Sequence, residues 1–206
     1  MTSTADVMTL AQTLDAARRE RREIPPLTHA HPNLSVPDGY AVQAEGIRLR
    51  EAQGERRVGL KMGFTSEAKR QQMNLGSPIF GVLTDRMLVP AGGVVHVNAG
   101  IHPRIEPLFV PGTTERGVRD LDLTKLQMRM EVNGRVEGEA RSDAISGDPV
   151  VSLIQLCALL AERGEVLPAG SLVLSGAATA AYLMKPGDHV KLTVDGLGTV
   201  EVTARE

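Results

Sequence analysis

The first fifty residues carry apolar positions at helical spacing. The first segment ends at the prolines Pro25 and Pro26, and its apolar positions are Val7, Leu10, Ala11, Leu14 and Ala17. After the polar connector THAHPNLSVPDGY, a second helical pattern runs through Ala41, Ala44 and Ile47 towards Gly54. We therefore predict a helical arm over residues 1–55, followed by a β-rich domain over residues 56–206.

From Arg57 onward the pattern changes to an alternation of apolar and polar residues, which is typical of strands. It is clear in RVGLKMG, in LQMRMEVNGRVEGEA, which turns at Asn133 and Gly134, and in the C-terminal runs SLVLSG, HVKLTV and TVEVTA. An Asn-Gly pair between two alternating runs predicts a β-hairpin. The sequence thus favours a set of mainly antiparallel strands.

One long helix interrupts the strands. In GDPVVSLIQLCALLAERGE, Asp148 is the expected N-cap, Pro149 the first helical residue and Gly164 the end. The predicted buried stripe comprises Val150, Leu153, Leu156, Cys157 and Leu160. Cys157, the single cysteine, is expected to be a small core residue in a reducing compartment. The predicted fold class is α+β, mainly β, with this one helix packed on the strands.

Charge and composition exclude several classes of function. The 206 residues include 23 basic and 25 acidic side chains, and the aromatic content is 2%. With no basic block beyond RRERR and few rings for base stacking, a nucleic-acid partner is not expected. The N-terminal segment contains Asp6 and no continuous apolar stretch, so neither a signal peptide nor a membrane span is expected there. The sequence predicts a cytoplasmic protein with no membrane partner.

Three places offer polar groups for binding or catalysis. Lys61 lies on the face of its predicted strand that also carries Gly59. The missing side chain at Gly59 would leave room for a ligand to reach the lysine. The alternative is a solvated lysine on an exposed surface. Glu106 follows HPRI in a predicted strand, and its alternative is a surface carboxylate. The small-residue segment SGAATAA follows an apolar strand and fits either a carboxylate-binding loop or a plain turn.

These segments resemble the fumarylacetoacetate hydrolase superfamily. The resemblance lies in VGLKMGFTSEAKRQQM, SPIFGVLTDRMLVPAGGVV, IHPRIEP, SGAATAAYLMKPGDHV and DGLGTV, in the same order over most of the chain. The chain is most similar to the branch of 4-oxalocrotonate decarboxylases and 2-hydroxypentadienoate hydratases of meta-cleavage pathways. The resemblance implies a mixed β-roll with an N-terminal helical arm around a Mg²⁺ or Mn²⁺ site.

The resemblance also assigns roles to residues. Glu106 corresponds to a metal-binding glutamate, Lys61 to a catalytic lysine, and Ser175, Gly176 and Thr179 to the loop that holds a substrate carboxylate. The implied reaction is metal-dependent decarboxylation of 4-oxalocrotonate (2-oxohex-3-enedioate), with the 2-oxo acid end on the metal. The expected partners are this 2-oxo dicarboxylate, further copies of the same chain, and the cognate hydratase.

The apolar residue Ile79 favours the decarboxylase over the hydratase. Related hydratases commonly carry an acid in this loop, since hydration requires a group that delivers a proton. The first alternative is still hydration of 2-hydroxypenta-2,4-dienoate. A second is a catalytically inactive partner subunit.

The second alternative follows from an apparent missing segment between Pro107 and Leu108, a junction that we call the seam. In the family, the segment corresponding to IEP continues into a second metal-binding glutamate and then a long segment with a third acidic ligand. Here LFVPGTTERG follows Pro107 directly. The resemblance therefore implies that this segment and both acids are missing.

Overall fold

The computed structural model describes residues 4–108 and 120–206, and its N-terminal part is helical. Helix α1 spans Thr4–Glu20, α2 spans Leu27–Ala30 and α3 spans Val36–Ala52. Helices α1 and α3 pack through the buried side chains of Leu10, Ala11 and Val42. The predicted connector, residues 28–40, thus contains most of α2 and the beginning of α3, which starts at a capping box between Ser35 and Asp38. Most of LFVPGTTERG lies outside the described residues.

In the part of the chain that the structure describes, ten strands and two further α-helices follow the arm. The strands are β1 Arg57–Gly63, β2 Ile79–Thr84, β3 Val94–His96, β4 Arg104–Ile105, β5 Gln127–Val132, β6 Arg135–Arg141, β7 Leu172–Leu174, β8 Tyr182–Leu183, β9 His189–Val194 and β10 Gly198–Arg205. Helix α4 spans Glu67–Gln72, and α5 spans Pro149–Ala161.

The strands form three sheets, with the orders β2-β1-β7, β3-β10-β9-β5-β6 and β4-β8. Most neighbours are antiparallel, as predicted, but β1 pairs with β7 in parallel and β10 pairs with β3 in parallel. Parallel partners need a long connection between them. Alternation within one strand carries no information about such a distant partner, so these two pairs were not predicted.

The predicted hairpin is present as β5 and β6. Asn133 and Gly134 adopt φ angles of +51° and +77°, the left-handed values that a two-residue hairpin turn requires. The Asn133 amide also donates to Asp188 Oδ1 at 2.9 Å and accepts from the His189 backbone N–H at 2.9 Å. The turn is therefore joined to the start of β9, which is also β5's other neighbour.

Helix α5 covers one face of the three-stranded sheet. Asp148 accepts a hydrogen bond from the Val150 backbone N–H at 2.7 Å and caps the helix as predicted. The core combines Leu156, Leu159 and Leu160 from α5 with Leu60, Met62, Phe80 and Val173 from the strands. The predicted stripe was wrong at Val150 and Cys157, which are exposed, because Ser152 and Leu159 lie on the face that turns towards the sheet.

Length and composition alone would allow the segment 142–161, with a mean hydropathy of 1.7, to cross a membrane. Helix α5 has 13 residues. This corresponds to about 20 Å, less than the ~30 Å of a bilayer's hydrocarbon core. Since Leu156 and Leu160 are packed in the core, we assign α5 as a core helix with one apolar face exposed.

Side chains of α3 satisfy the free backbone groups of the edge strand β2. The Tyr40 hydroxyl accepts a hydrogen bond from the Phe80 N–H at 3.1 Å. The Gln43 side-chain amide accepts one from the Val82 N–H at 3.2 Å and donates one to the Phe80 carbonyl at 3.3 Å. The Tyr40 and Phe80 rings stack at 4.8 Å. The arm thus covers an edge that would otherwise be open to pairing. The division at residue 55 stays a prediction.

A buried carboxylate joins the end of the arm to β2. Glu55 is 5% exposed and accepts a hydrogen bond from Thr84 Oγ1 at 2.5 Å. Arg50 Nη1 lies 3.3 Å from Glu55 Oε2. Burial alone would raise the pKa of Glu55, but the Thr84 hydrogen bond and the Arg50 charge outweigh it and lower the pKa.

We expect Thr84→Val to lower the free energy of unfolding at pH 7 by about 1–3 kcal/mol, since a buried acceptor loses its donor. Because the folded pKa of Glu55 is lowered, its ionised form stabilises the protein above the ordinary value of 4.5, and this stabilisation is lost as the pH falls through the folded pKa. The difference in unfolding free energy between wild type and Thr84→Val, measured by urea unfolding, should therefore be smaller at pH 3 than at pH 7. Thr84→Ser, which keeps the hydroxyl, is the control; an equal loss at both pH values would contradict the assignment.

Candidate active site

Strand β1 separates Lys61 from the core. Leu60 and Met62 point towards α5 and are buried, whereas Lys61 lies on the opposite face. In the sheet Lys61 pairs with Gly81 of β2 and Leu174 of β7. Both neighbours hold the strand, so the position of the lysine is fixed from two sides.

The prediction that Gly59 leaves space for a ligand was wrong. A Cβ built on Gly59 would lie 1.8 Å from the backbone oxygen of Leu172. The missing side chain is therefore required for the close approach of β7, and the Leu172 carbonyl fills the space that it leaves.

Glu106 meets Lys61 directly. Lys61 Nζ lies 2.9 Å from Glu106 Oε1, and the two side chains are 40% and 23% exposed. The segment after Glu106 is fixed by the Pro107 carbonyl, which accepts from the Ala178 N–H at 3.1 Å, and by a bridge between Leu108 and Ala177. The structure thus brings together two predicted site residues that are 45 positions apart.

The loop after β7 lies beside the end of β1, because the two strands run parallel. Ser175 is fully buried, and its carbonyl accepts a hydrogen bond from the Ser152 hydroxyl. Gly176 adopts a φ of +134°, and a Cβ there would lie 2.6 Å from Thr65 Oγ1. Thr179 packs on Gly138 of β6 and donates to the Ala180 carbonyl at 3.2 Å. The substrate contacts of Ser175, Gly176 and Thr179 stay predictions.

Sequence patterns missed two residues beside this loop. Thr65 is 7% exposed and lies against Gly176. Arg70 of α4 donates from Nη1 to the carbonyls of Phe64, at 3.0 Å, and Thr65, at 2.9 Å. The segment FTSEAKR indicates a helix start, but helical spacing does not reveal that an arginine reaches back to the turn before the helix.

A cavity of about 210 Å³ adjoins Glu106. Its walls are mainly apolar, with Met130, Leu174 and Leu192 among them, and Glu201 is a second carboxylate in the lining. A larger cavity of about 670 Å³ lies at the other end of β1, where Gly59 and Leu60 meet residues 164–171. Glu106 lines the smaller cavity and is the residue that Lys61 contacts, whereas neither residue lines the larger cavity. We therefore place the candidate site at the smaller one.

Tyr182 supports strand β4, which ends one residue before Glu106. It pairs with Ile105 in the β4–β8 sheet. Burial raises the pKa of Tyr182, and the nearby Asp188 carboxylate raises it further. The phenol is therefore neutral near pH 7.

The described residues do not by themselves fit a magnesium ion. Across residues 4–108 and 120–206, no group of three or more His, Cys, Asp or Glu side chains is arranged to hold a metal ion. Glu106 is bound by an ammonium group instead. Mg²⁺ requires near-octahedral oxygen coordination, so one carboxylate that already has a cationic partner is an insufficient ligand set.

This fold, with a lysine and a glutamate meeting beside a small-residue loop, corresponds to a known family. The sequence profile of the fumarylacetoacetate (FAA) hydrolase C-terminal domain matches residues 110–205. The chain is 35% identical to the 4-oxalocrotonate decarboxylase of Pseudomonas sp. (strain CF600), over 94% of this chain and 95% of that protein. The chain therefore belongs to the fumarylacetoacetate hydrolase family, and the resemblance of the sequence is confirmed.

Solved structures agree with this assignment. The 4-oxalocrotonate decarboxylase from Pseudomonas putida G7 complexed with calcium and acetate superposes with a TM-score of 0.94 at 32% identity, over 99% of both chains. The same enzyme complexed with magnesium and adipate gives 0.92. A 2-hydroxyhexa-2,4-dienoate hydratase of Comamonas testosteroni is 28% identical, over 97% of this chain and 98% of that protein.

The comparison with the CF600 enzyme also bears on the predicted seam. The alignment spans 250 positions, whereas the chain has 206 residues. At least 44 positions of the alignment, the difference between 250 and 206, therefore contain no residue of this chain. That these positions fall at the seam between Pro107 and Leu108 stays a prediction.

We expect Glu106→Gln to weaken the binding of Mn²⁺ at least tenfold, because an amide oxygen replaces a charged ligand. Electron paramagnetic resonance detects free Mn²⁺ and therefore measures the Mn²⁺ affinity even at millimolar dissociation constants. Glu201→Gln is a matched control, since Glu201 lines the same cavity but binds His189 at 3.1 Å. Equal Mn²⁺ affinity in wild type and Glu106→Gln would make Glu106 a partner of Lys61 alone.

Proposed function

We propose that the protein decarboxylates 4-oxalocrotonate to 2-hydroxypenta-2,4-dienoate in the catabolism of aromatic compounds. The observation that carries the proposal is the Lys61–Glu106 pair, at 2.9 Å, inside a fold that superposes on a solved 4-oxalocrotonate decarboxylase over 99% of both chains. The adipate in a second structure of that enzyme is a dicarboxylate of the same length as the proposed substrate.

The substrate is a vinylogous β-keto acid. When the distal carboxylate leaves as CO₂, its electron pair moves through the alkene to the 2-oxo oxygen, and a dienolate results. The Lys61 ammonium would orient the departing carboxylate or stabilise the developing negative charge. Because β1 is held between β2 and β7, this charge is in place before the reaction begins.

Ile79 supports decarboxylation rather than hydration. It is the first residue of β2 and pairs with Gly63, two residues after Lys61. Its Cγ1 lies 3.4 Å from the position of a Cβ on Gly63. An apolar side chain at this place offers no proton for the addition of water.

A divalent metal, Mg²⁺ or Mn²⁺, is the proposed cofactor. The magnesium and calcium complexes of the Pseudomonas putida enzyme support this. Glu106 is the described residue that the resemblance assigns to it. Since the described part of the chain supplies too few ligands, we assign no step of the reaction to the ion.

We further propose a soluble, cytoplasmic homo-oligomer that passes its unstable dienol product to the cognate hydratase. The exposed apolar residues of α5, which include Val151 and Ile154, support self-association because an uncharged helix face is typical of interfaces.

The second candidate is an inactive partner subunit. The lack of any group of three or more possible metal ligands among the described residues favours it, as do the alignment positions that have no residue in this chain. Such a subunit would keep the fold and the interface while lacking turnover.

Assays of the 206-residue chain distinguish these functions. CO₂ release from 4-oxalocrotonate and water addition to 2-hydroxypenta-2,4-dienoate are measured with and without Mg²⁺ and Mn²⁺. We expect CO₂ release to be the faster reaction. Hydration alone would support the hydratase, and the absence of both reactions would support the inactive subunit.

We expect Lys61→Met to lower kcat at least ~100-fold, because it removes a fixed charge from the site of developing negative charge. The melting temperature should fall by only a few degrees, since partly exposed ion pairs contribute at most about 1 kcal/mol. Lys125→Met, which breaks an exposed ion pair with Asp122, is the control. Unchanged kinetics in Lys61→Met would remove Lys61 from the mechanism.

A further inference from the structure

The chain turns sharply directly after the strand that carries Lys61. Phe64 adopts a φ of +53°, in the left-handed region. This conformation is unfavourable for a bulky side chain and persists only where surrounding contacts impose it. The turn therefore needs a group that holds it.

Arg70 supplies that group. Its Nη1 donates to the Phe64 carbonyl at 3.0 Å and to the Thr65 carbonyl at 2.9 Å. Hydrogen bonds from a charged donor are stronger than neutral ones. The Ser146 hydroxyl adds a longer bond to the Thr65 carbonyl, at 3.3 Å. Both carbonyls of the turn thus point to one guanidinium group.

The turn fixes the loop after β7. Thr65 is nearly buried, and its Oγ1 lies 2.6 Å from the position of a Cβ on Gly176. A movement of Thr65 therefore changes the packing of the loop that begins at Ser175. That loop in turn bonds the Glu106 segment, because the Ala178 N–H donates to the Pro107 carbonyl at 3.1 Å.

We propose that Arg70 is a positioning residue for the site. It holds the turn at Phe64 and Thr65, and through Thr65 it fixes the loop of Ser175, Gly176 and Thr179 at the place where a carboxylate of the ligand binds. It does this without touching the ligand. The identity of the ligand, a 2-oxo dicarboxylate, rests on the proposed function.

The test compares Arg70→Gln and Arg70→Lys with Gln71→Ala, a control in the same helix whose side chain contacts Glu67. We expect Arg70→Gln to speed the hydrogen exchange of the Ala178 amide at least tenfold, to weaken adipate binding at least fivefold in calorimetry, and to raise KM more than it lowers kcat. Arg70→Lys keeps a charged donor and should show smaller changes; it also serves if Arg70→Gln does not fold. Gln71→Ala should resemble wild type.

A second substitution tests the mechanism. Glycine adopts a φ of +53° without steric cost, so Phe64→Gly in the Arg70→Gln background should slow Ala178 exchange back towards the wild-type rate. Wild-type exchange at Ala178 in Arg70→Gln, with only a lower melting temperature, would overturn the proposal, as would a failure of Phe64→Gly to restore protection. If the wild-type protein neither binds adipate nor releases CO₂, the proposed function fails, and the exchange rates still decide the role of Arg70.

Discussion

The parallel pairing of β1 with β7 is the constraint on which the site depends. It requires a glycine at position 59, because the Leu172 carbonyl occupies the space of a side chain there. Once the strands pair, their ends bring the turn at Thr65 beside the loop at Gly176, and that loop holds the Glu106 segment. Lys61 and Glu106 meet as a consequence. The chemistry of the site therefore rests on a contact between two backbones.

The Lys61–Glu106 contact also sets the charge of the site. The ammonium neutralises the carboxylate at 2.9 Å, so this pair presents little net charge. Relatives with at least 44 further aligned positions have chain that this protein lacks. The fold of the family is nevertheless kept, with a TM-score of 0.94 against a solved 4-oxalocrotonate decarboxylase.

Local patterns predicted the local structure. The Asn133–Gly134 hairpin, the Asp148 cap and the extent of β1 followed from turn chemistry, capping and alternation. The exposure of Cys157 was missed because a helix with apolar residues on every side does not show which face is buried. The ligand space at Gly59 was misread, and Arg70 was missed, because both depend on segments that are not adjacent in the sequence. Lys61 and Glu106 were each assigned to the site through the resemblance, but their contact was not predicted, since their spacing carries no signal.

The distance along the chain between β1 and β7 has a kinetic consequence. Lys61 and Leu174 pair although they are more than one hundred residues apart. Closing so long a loop costs entropy before the contact is gained, and non-local pairings slow folding. During synthesis, β1 leaves the ribosome long before its partner exists, and its exposed edge must wait for β7. During that interval β2, which the arm already covers, occupies one edge of β1, and the other edge stays open. This open edge is the place where the nascent chain is most vulnerable to misassembly.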